Sequence, residues 1–236
     1  MSTLYIVMPA YNEETNIETV VKQWYPIIEG KGEQSKLVIA DSGSTDSTHN
    51  ILVNLQKNYS KLEILPDTGK QHGPKVIALY KYAIEKGADY VFQTDSDGQT
   101  NPAEFAEFWD MRNKYDLILG KRTVRGDGKS RAFVEKVVCF LLKICFGVKV
   151  PDANAPFRLM KTDVVKKYLY KLPEDYNIPN IVLTAYFAYN KEKMFFKEIS
   201  FKPRQGGINS INIPKIVKIG WNAIRDFKMF RKDMVR

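Results

Sequence analysis

The sequence predicts an α/β protein: a mostly parallel sheet covered by helices. Two observations carry that reading. Apolar runs of strand length alternate with amphipathic helical stretches through the first half of the 236-residue chain. Acidic clusters directly follow two of those runs, Asp41-Ser42-Gly43-Ser44-Thr45-Asp46 and Asp95-Ser96-Asp97-Gly98-Gln99. Ligands of open α/β sheets bind beyond the carboxyl ends of the strands, so these acids mark a site as well as a fold.

Leu4 to Met8 reads as a short apolar strand stopped by Pro9. A helix from about Asn16 to Glu29 follows, with Ile17, Val20, Val21, Trp24 and Ile28 on one face. Strand 37–40 ends in Asp41, and Ser44 to Ser47 offer N-caps for a second helix. Strand 62–65, a helix over 74–86 ended by Gly87, and strand 89–94 complete the alternation. Beyond it, strands are expected at 116–120 and 194–201, and helices near 131–146, 162–171, 179–189 and 214–234. With no repeat, low-complexity segment or linker, residues 1–212 read as one domain and 213–236 as a C-terminal amphipathic basic helix.

A 44% apolar composition supplies a sizeable core, and two cysteines offer no framework of disulfides or zinc ligands. Cys139 and Cys145 read as buried structural thiols in a reducing compartment. Without a basic leader or an apolar run of about 18 residues, the expectation is a cytoplasmic protein that does not span a membrane. The net charge of +9 is unevenly spread. Residues 201–236 carry nine Lys/Arg against two Asp, and 114–149 carry nine against three acids, leaving the remainder at −4. A basic half suggests a polyanionic partner: a membrane surface, phosphates or nucleic acid. Nothing resembles a nucleic-acid-binding module, and the basic segments are too apolar for a phosphate-tracking face. No nucleic acid is therefore expected.

Asp95 and Asp97 at i, i+2, with Gln99 two residues on, can hold one divalent cation at the end of a rigid strand. Mg²⁺ or Mn²⁺ is bound by one or two carboxylates plus substrate phosphate oxygens, which suits so sparse a set. Pro9-Ala10-Tyr11-Asn12-Glu13 reads as a base-recognition loop, with Tyr11 stacking and Glu13 or Asp41 accepting hydrogen bonds. There is no G-x-G-x-x-G turn. Gly69-Lys70-Gln71-His72-Gly73 lacks Walker spacing, and His72 reads as an exposed loop residue.

The series Val-Met-Pro-Ala-Tyr-Asn-Glu (7–13), Asp-Ser-Gly-Ser-Thr-Asp (41–46) and Thr-Asp-Ser-Asp-Gly-Gln (94–99) resembles the nucleotide-sugar half of family 2 glycosyltransferases, which have the GT-A fold. The second half is similar to the polyprenyl-phosphate branch, including dolichyl-phosphate mannose synthases. The matching pieces are Gly120-Lys121-Arg122, Arg131, 152–158, 197–201 and 204–210. The resemblance implies a nucleotide-sugar half at about 1–100 and an acceptor half at about 101–212. It implies that Pro9, Tyr11, Glu13 and Asp41 hold base and ribose, with Asp95 also on the nucleotide, and that Asp95, Asp97 and Gln99 hold metal and diphosphate. Arg122, Arg131 and Arg204 would bind acceptor and donor phosphates, since arginine forks pair with phosphate oxygens. The implied activity is inverting, metal-dependent transfer of a sugar from a UDP- or GDP-linked donor to a polyprenyl phosphate.

The chain departs from the family pattern in two places. It reads Ala155-Pro156-Phe157-Arg158 where Gly-Phe-Arg is common, and Asn177-Ile178-Pro179-Asn180 where an acidic pair is expected. A hydroxyl acceptor needs a base and a phosphate does not, so the missing acid favours a phosphate. Asp152, Glu174 and Asp175 remain candidate bases for a glycan hydroxyl or lipid-linked glycan acceptor in surface polysaccharide assembly. A sugar nucleotidyltransferase would carry a glycine-rich N-terminal loop with a basic residue, which 9–13 lacks. Ile216, Ile219, Ala223, Phe227, Phe230 and Met234 form one helical stripe, with Lys218, Arg225, Lys232 and Arg236 opposite. The helix at 131–146 is apolar almost all round. Both suit a peripheral position at the inner face of the cell membrane; the C-terminal stripe suits packing on the core nearly as well, and a helix apolar all round is either buried or dipped in lipid.

Overall fold

The protein is described from a computed structural model over residues 2–125, 129–203 and 213–235, with side chains described outside 124–130 and 213–222. Its strands are β1 (Leu4–Ala10), β2 (Lys36–Asp41), β3 (Leu62–Leu65), β4 (Tyr90–Thr94), β5 (Leu117–Arg125), β6 (Phe157–Lys161) and β7 (Met194–Phe201). They form one sheet in the order β3-β2-β1-β4-β6-β5-β7. β3, β2, β1 and β4 pair in parallel, β6 runs antiparallel to both β4 and β5, and β5 pairs in parallel with β7. Only β6 opposes the others.

Helices α1 (Ile17–Glu29), α2 (Thr48–Gln56) and α4 (Phe105–Asp110) cover one face. Helices α3 (His72–Glu85), α5 (Lys129–Phe146), α6 (Thr162–Leu169), α7 (Pro179–Tyr189) and α8 (Ile213–Val235) cover the other. β1, most of β2, and β4 up to Phe92 are near-continuous apolar runs because both faces of the sheet are buried there. Leu4, Ile6 and Met8 enter the core under α1, while Tyr5 and Val7 enter the core under α3. Trp24 of α1 is the hub of its layer, with ring centroids 5.4 Å from Phe92 and 6.0 Å from Phe157. Each such pair contributes about 0.5–1.5 kcal/mol beyond its buried area. By holding Phe157 on this face, the cluster sends the next residue, Arg158, to the other.

Three expectations are revised. β6 was not foreseen, because it is short and carries Arg158 and Lys161. Pro9 does not stop β1, which pairs with β2 as far as Ala10↔Asp41. Pairing with β4 ends at Val7↔Gln93, and the Pro9 carbonyl on that side accepts from Ser96 Oγ at 2.8 Å. The missing N–H thus falls where no ladder bond is required. Finally, the described part of the α8 stripe packs on the core: Ala223, Phe227 and Phe230 are buried, against Phe146, Tyr176 and Tyr186. Ile216, Lys218, Ile219 and Arg236 lie outside the described side chains.

The loop before α7 crosses directly over the start of α3 at Gly73. A Cβ there would stand 2.2 Å from Tyr176 O and 2.6 Å from the Asn177 backbone, and backbone has little room to yield. Gly73→Ala is therefore expected to cost about 1–3 kcal/mol. Thermal unfolding should show a melting temperature lower by several degrees (about 2–4 °C per kcal/mol for a chain of this size).

Candidate active site

The parallel pairing brings the carboxyl ends of β2, β1 and β4 to one edge of the sheet, and the loops beyond them are tied together. Asn12 N donates to Ser44 Oγ at 3.0 Å, and Thr45 N donates to Asn12 Oδ1 at 2.8 Å. Glu13 N donates to Thr48 Oγ1 at 2.8 Å. The Asp41 carboxylate is buried, accepting from Ser44 Oγ at 2.5 Å and lying 3.2 Å from His49 Nδ1. Glu13 is also buried and accepts from Asn16 Nδ2 at 2.9 Å. Tyr11 stands 40% exposed above them.

Behind this loop lies Lys75 of α3, a buried cation whose Nζ donates to Ala10 O. Its ammonium is 5.2 Å from the Tyr11 ring centre. Burial pulls its pKa down to about 8, an effect partly countered by the charge of Asp41. Neither Lys75 nor His49 was singled out from sequence. Lys75 sits at a core position of an otherwise apolar helical pattern, and that clash of type with position was the available signal.

After β4, the loop 95–99 is fixed from both sides. Gly98 takes a left-handed conformation (φ +73°) that lets the chain reverse, and Asp97 Oδ1 accepts from Gln99 N at 3.1 Å. Gln99 Nε2 donates to Lys202 O at 2.8 Å, and Lys202 N donates back to Gln99 O at 2.8 Å. Gln99, expected to offer its side-chain oxygen as a ligand, also clasps this loop to the end of β7 through its Nε2 and backbone carbonyl. Asp95 remains partly exposed, with His72 Nε2 3.5 Å from its Oδ1. His72 therefore opens α3 against the acidic loop. Among the described residues no three His, Cys, Asp or Glu side chains gather as a cation cage. Two carboxylates on a braced loop, at the mouth of a strand, do suit a hard divalent cation completed by substrate oxygens.

β5 delivers Arg122 to the same edge, and the loop before β6 delivers Asp152. Arg122 Nε and Nη2 grip Asp152 at 2.8 and 2.9 Å, and Nη2 reaches Glu135 Oε2 of α5 at 3.2 Å. Burial tends to raise the Asp152 carboxyl, but Arg122 overrides it and holds the group below the usual range. Burial, followed by the charge of Asp152, pushes Glu135 up. Arg122, expected on a phosphate, thus braces α5 to the sheet edge with its fork on two carboxylates. Both Asp152 carboxylate oxygens are engaged by the Arg122 fork. Glu174 is exposed and paired with Lys81 at 2.5 Å. Asp175 lines a separate cavity of about 240 Å³ between the 173–178 loop and α8. Arg131 lies half-buried on α5, one turn before Glu135. Arg204 falls outside the described residues.

A sheet with one reversed strand, and acids beyond its parallel strands, defines the class. The structure superposes on crystal structures of glucosyl-3-phosphoglycerate synthase from Mycobacterium tuberculosis. For the complex with Mn²⁺, UDP-glucose and phosphoglyceric acid the TM-score is 0.73 at 16% identity, covering 98% of this chain and 80% of that one. This is the GT-A glycosyltransferase fold. The model for glycosyl transferase family 2 matches residues 5–169, and the chain belongs to that family. An uncharacterized glycosyltransferase of Synechocystis sp. is 24% identical over 233 residues, 96% of this chain and 70% of that protein. The undecaprenyl-phosphate 4-deoxy-4-formamido-L-arabinose transferase of Edwardsiella ictaluri is 21% identical, covering 93% of this chain and 66% of its own. The UDP-N-acetylglucosamine–dolichyl-phosphate N-acetylglucosaminyltransferase of Methanococcus voltae is 25% identical, over 69% and 71%. The chain spans about two thirds of the length of such relatives.

Lys75 gives the site edge a measurable signature. Between pH 8 and 10.5 the unfolded chain, with an ordinary lysine, binds more protons than the folded one. The Lys75 contribution to stability therefore rises with pH across that window. Lys75→Met should be the more stable protein at pH 7, and its advantage should shrink by on the order of 2–3 kcal/mol as pH approaches 10. Urea unfolding of both proteins at the two pH values checks this.

Proposed function

We propose that this chain transfers a sugar from a nucleoside-diphosphate donor to a polyprenyl phosphate, with inversion, at a membrane surface. The observation that carries the donor half is the convergence of Tyr11, Glu13, Asp41, Asp95 and Asp97 on one sheet edge. In this reading Pro9 and Tyr11 flank the base, while Glu13 and Asp41 accept from base and ribose. Asp95 and Asp97 would hold a Mg²⁺ or Mn²⁺ ion, which supplies neutralisation of the departing diphosphate. Arg131, with Arg204, would receive the acceptor phosphate, and Arg122 keeps α5 and the sheet edge in register. A phosphate is already anionic and attacks without a base. That agrees with Asp152 being engaged by Arg122 and Glu174 by Lys81.

The acceptor half rests on the relatives that act on undecaprenyl and dolichyl phosphates and on the surface of α5. Phe133, Val137, Phe140 and Ile144 recur at i, i+4, i+7 and i+11 and are 67%, 40%, 60% and 63% exposed. Lys136 and Lys143 are exposed beside them, and the only acid of α5, Glu135, points to Arg122 instead. An apolar stripe with a basic flank suits an anionic lipid surface. No described helix is long and apolar enough to cross a membrane, so the reading is attachment in the plane of the bilayer.

The function is tested by incubating the protein with a panel of nucleotide sugars and Mn²⁺, with and without a short-chain polyprenyl phosphate. Nucleoside diphosphate release should rise sharply with the lipid phosphate and stop with chelator. Asp97→Asn should lower kcat/KM by about 100-fold or more. Turnover that ignores the lipid would move the acceptor to a glycan hydroxyl. Membrane attachment is tested separately by sedimentation with vesicles. Phe133→Ser/Phe140→Ser should lose binding to vesicles rich in anionic lipid yet keep the parent's melting temperature, since both side chains are exposed.

A further inference from the structure

Beneath the acidic loop lies a buried polar chain that the donor reading leaves unexplained. Arg158 is fully buried and its guanidinium is capped mainly by carbonyls. Nε donates to Ala155 O at 3.1 Å, Nη1 to Asn180 O at 3.3 Å, and Nη2 to Ala153 O at 3.1 Å and Thr184 Oγ1 at 3.2 Å. Beside it stands the Tyr80 hydroxyl, 2.9 Å from Gln93 Oε1 and 3.0 Å from Asn180 Oδ1. Asn180 Nδ2 donates to the same Gln93 Oε1 at 2.8 Å. Gln93 itself is fully buried.

These bonds decide which way the Gln93 amide faces. Its oxygen accepts from Asn180 Nδ2 and faces the Tyr80 hydroxyl, whose single proton serves either Gln93 Oε1 or Asn180 Oδ1, so its nitrogen turns the other way, and Nε2 lies 3.5 Å from Asp95 Oδ1. A buried amide with a fixed orientation can hold a carboxylate in one rotamer, where a mobile one would allow several. Asn180 lies in the segment where the family's acidic pair is absent. Its amide supplies a donor that a carboxylate in its place would lack.

We propose that Tyr80, Asn180 and Gln93, anchored on Arg158, form a positioning relay that holds Asp95 in the orientation that binds the divalent cation. This deepens the donor reading and rests on it, since it takes Asp95 as a ligand. All four are buried. Their effect reaches the reaction only through the Asp95 carboxylate, across β4.

The test is Mn²⁺ affinity measured by electron paramagnetic resonance on the protein without nucleotide. Tyr80→Phe removes the hydroxyl and keeps the ring. Asn180→Asp removes the donor that fixes Gln93 and lets the amide turn over. Both should weaken Mn²⁺ binding about tenfold, and in turnover both should raise the Mn²⁺ requirement while kcat recovers at saturating metal. Tyr82→Phe is the control. It deletes a hydroxyl on the same helix that bonds Glu63 Oε2 at 2.7 Å, remote from the acidic loop, and should leave Mn²⁺ affinity unchanged. Unaltered affinity in both relay variants, or an equal loss in Tyr82→Phe, would overturn the relay alone. If the parent binds no Mn²⁺, or Asp97→Asn binds it as the parent does, the metal-site reading falls and takes the relay with it.

Discussion

The parallel pairing of β2, β1 and β4 is the constraint on which the rest of the structure depends. Residues alternate between the two cores, so register decides which side chains meet. With Val7 opposite Gln93, Phe92 enters the aromatic cluster around Trp24 and Gln93 faces Tyr80 on α3. A slip of one residue would bury the Gln93 amide among aromatic rings and drive Phe92 into a polar network. Each error carries the cost of an unsatisfied buried polar group, about 1–3 kcal/mol. The same register sets Ala10 beside Asp41 and leaves Asp95 just beyond the ladder. Packing thus fixes the site before any ligand arrives.

Three cations are buried close to that edge, and their different partners give them different chemistry. Arg122 is matched by two carboxylates in fork geometry, which repays much of its desolvation. Arg158 is surrounded by carbonyl and hydroxyl oxygens, so its charge is solvated by the protein without being neutralised. Lys75 has the Ala10 carbonyl and the more distant Asp41, and its lowered pKa records the shortfall. Arg122 behaves as a brace, Arg158 as a fixed anchor, and Lys75 as a destabilised charge buried behind the loop after β1.

Much of this was legible in the sequence because the relevant signals are local. Period-2 and period-3.6 patterns located six of the seven strands and most helices, and the acidic clusters lay at strand ends as expected. What escaped notice was nonlocal. β6 pairs with β4 through residues 63 or more positions away in sequence, and the burial of its charged Arg158 shows only once Ala153, Asn180 and Thr184 are brought around it. The partners of Arg122 escaped notice for the same reason. A motif shows an arginine, but not that Asp152 and Glu135 arrive from two other segments to occupy its fork. His72 looked like a loop residue because its neighbour, Asp95, comes from the next strand.

Helix α5 joins the surface and the site. Its exposed stripe, Phe133 to Ile144, lies on one side, and Glu135, Leu142 and Phe146 lie on the other, with Glu135 on Arg122 and the two apolar residues in the core. A helix with its side chains is about 10–12 Å across. If the stripe rests among lipid headgroups, Arg122 and Asp152 sit about one helix diameter from the lipid plane, with Arg131 on the same rod. A lipid phosphate would then meet the site without leaving the headgroup layer, and its chain would stay in the bilayer. The ion pairs of Arg122 join α5 to the sheet edge. They hold the rod against the sheet edge, so the placing of the exposed stripe relative to the acidic loop is set by one element.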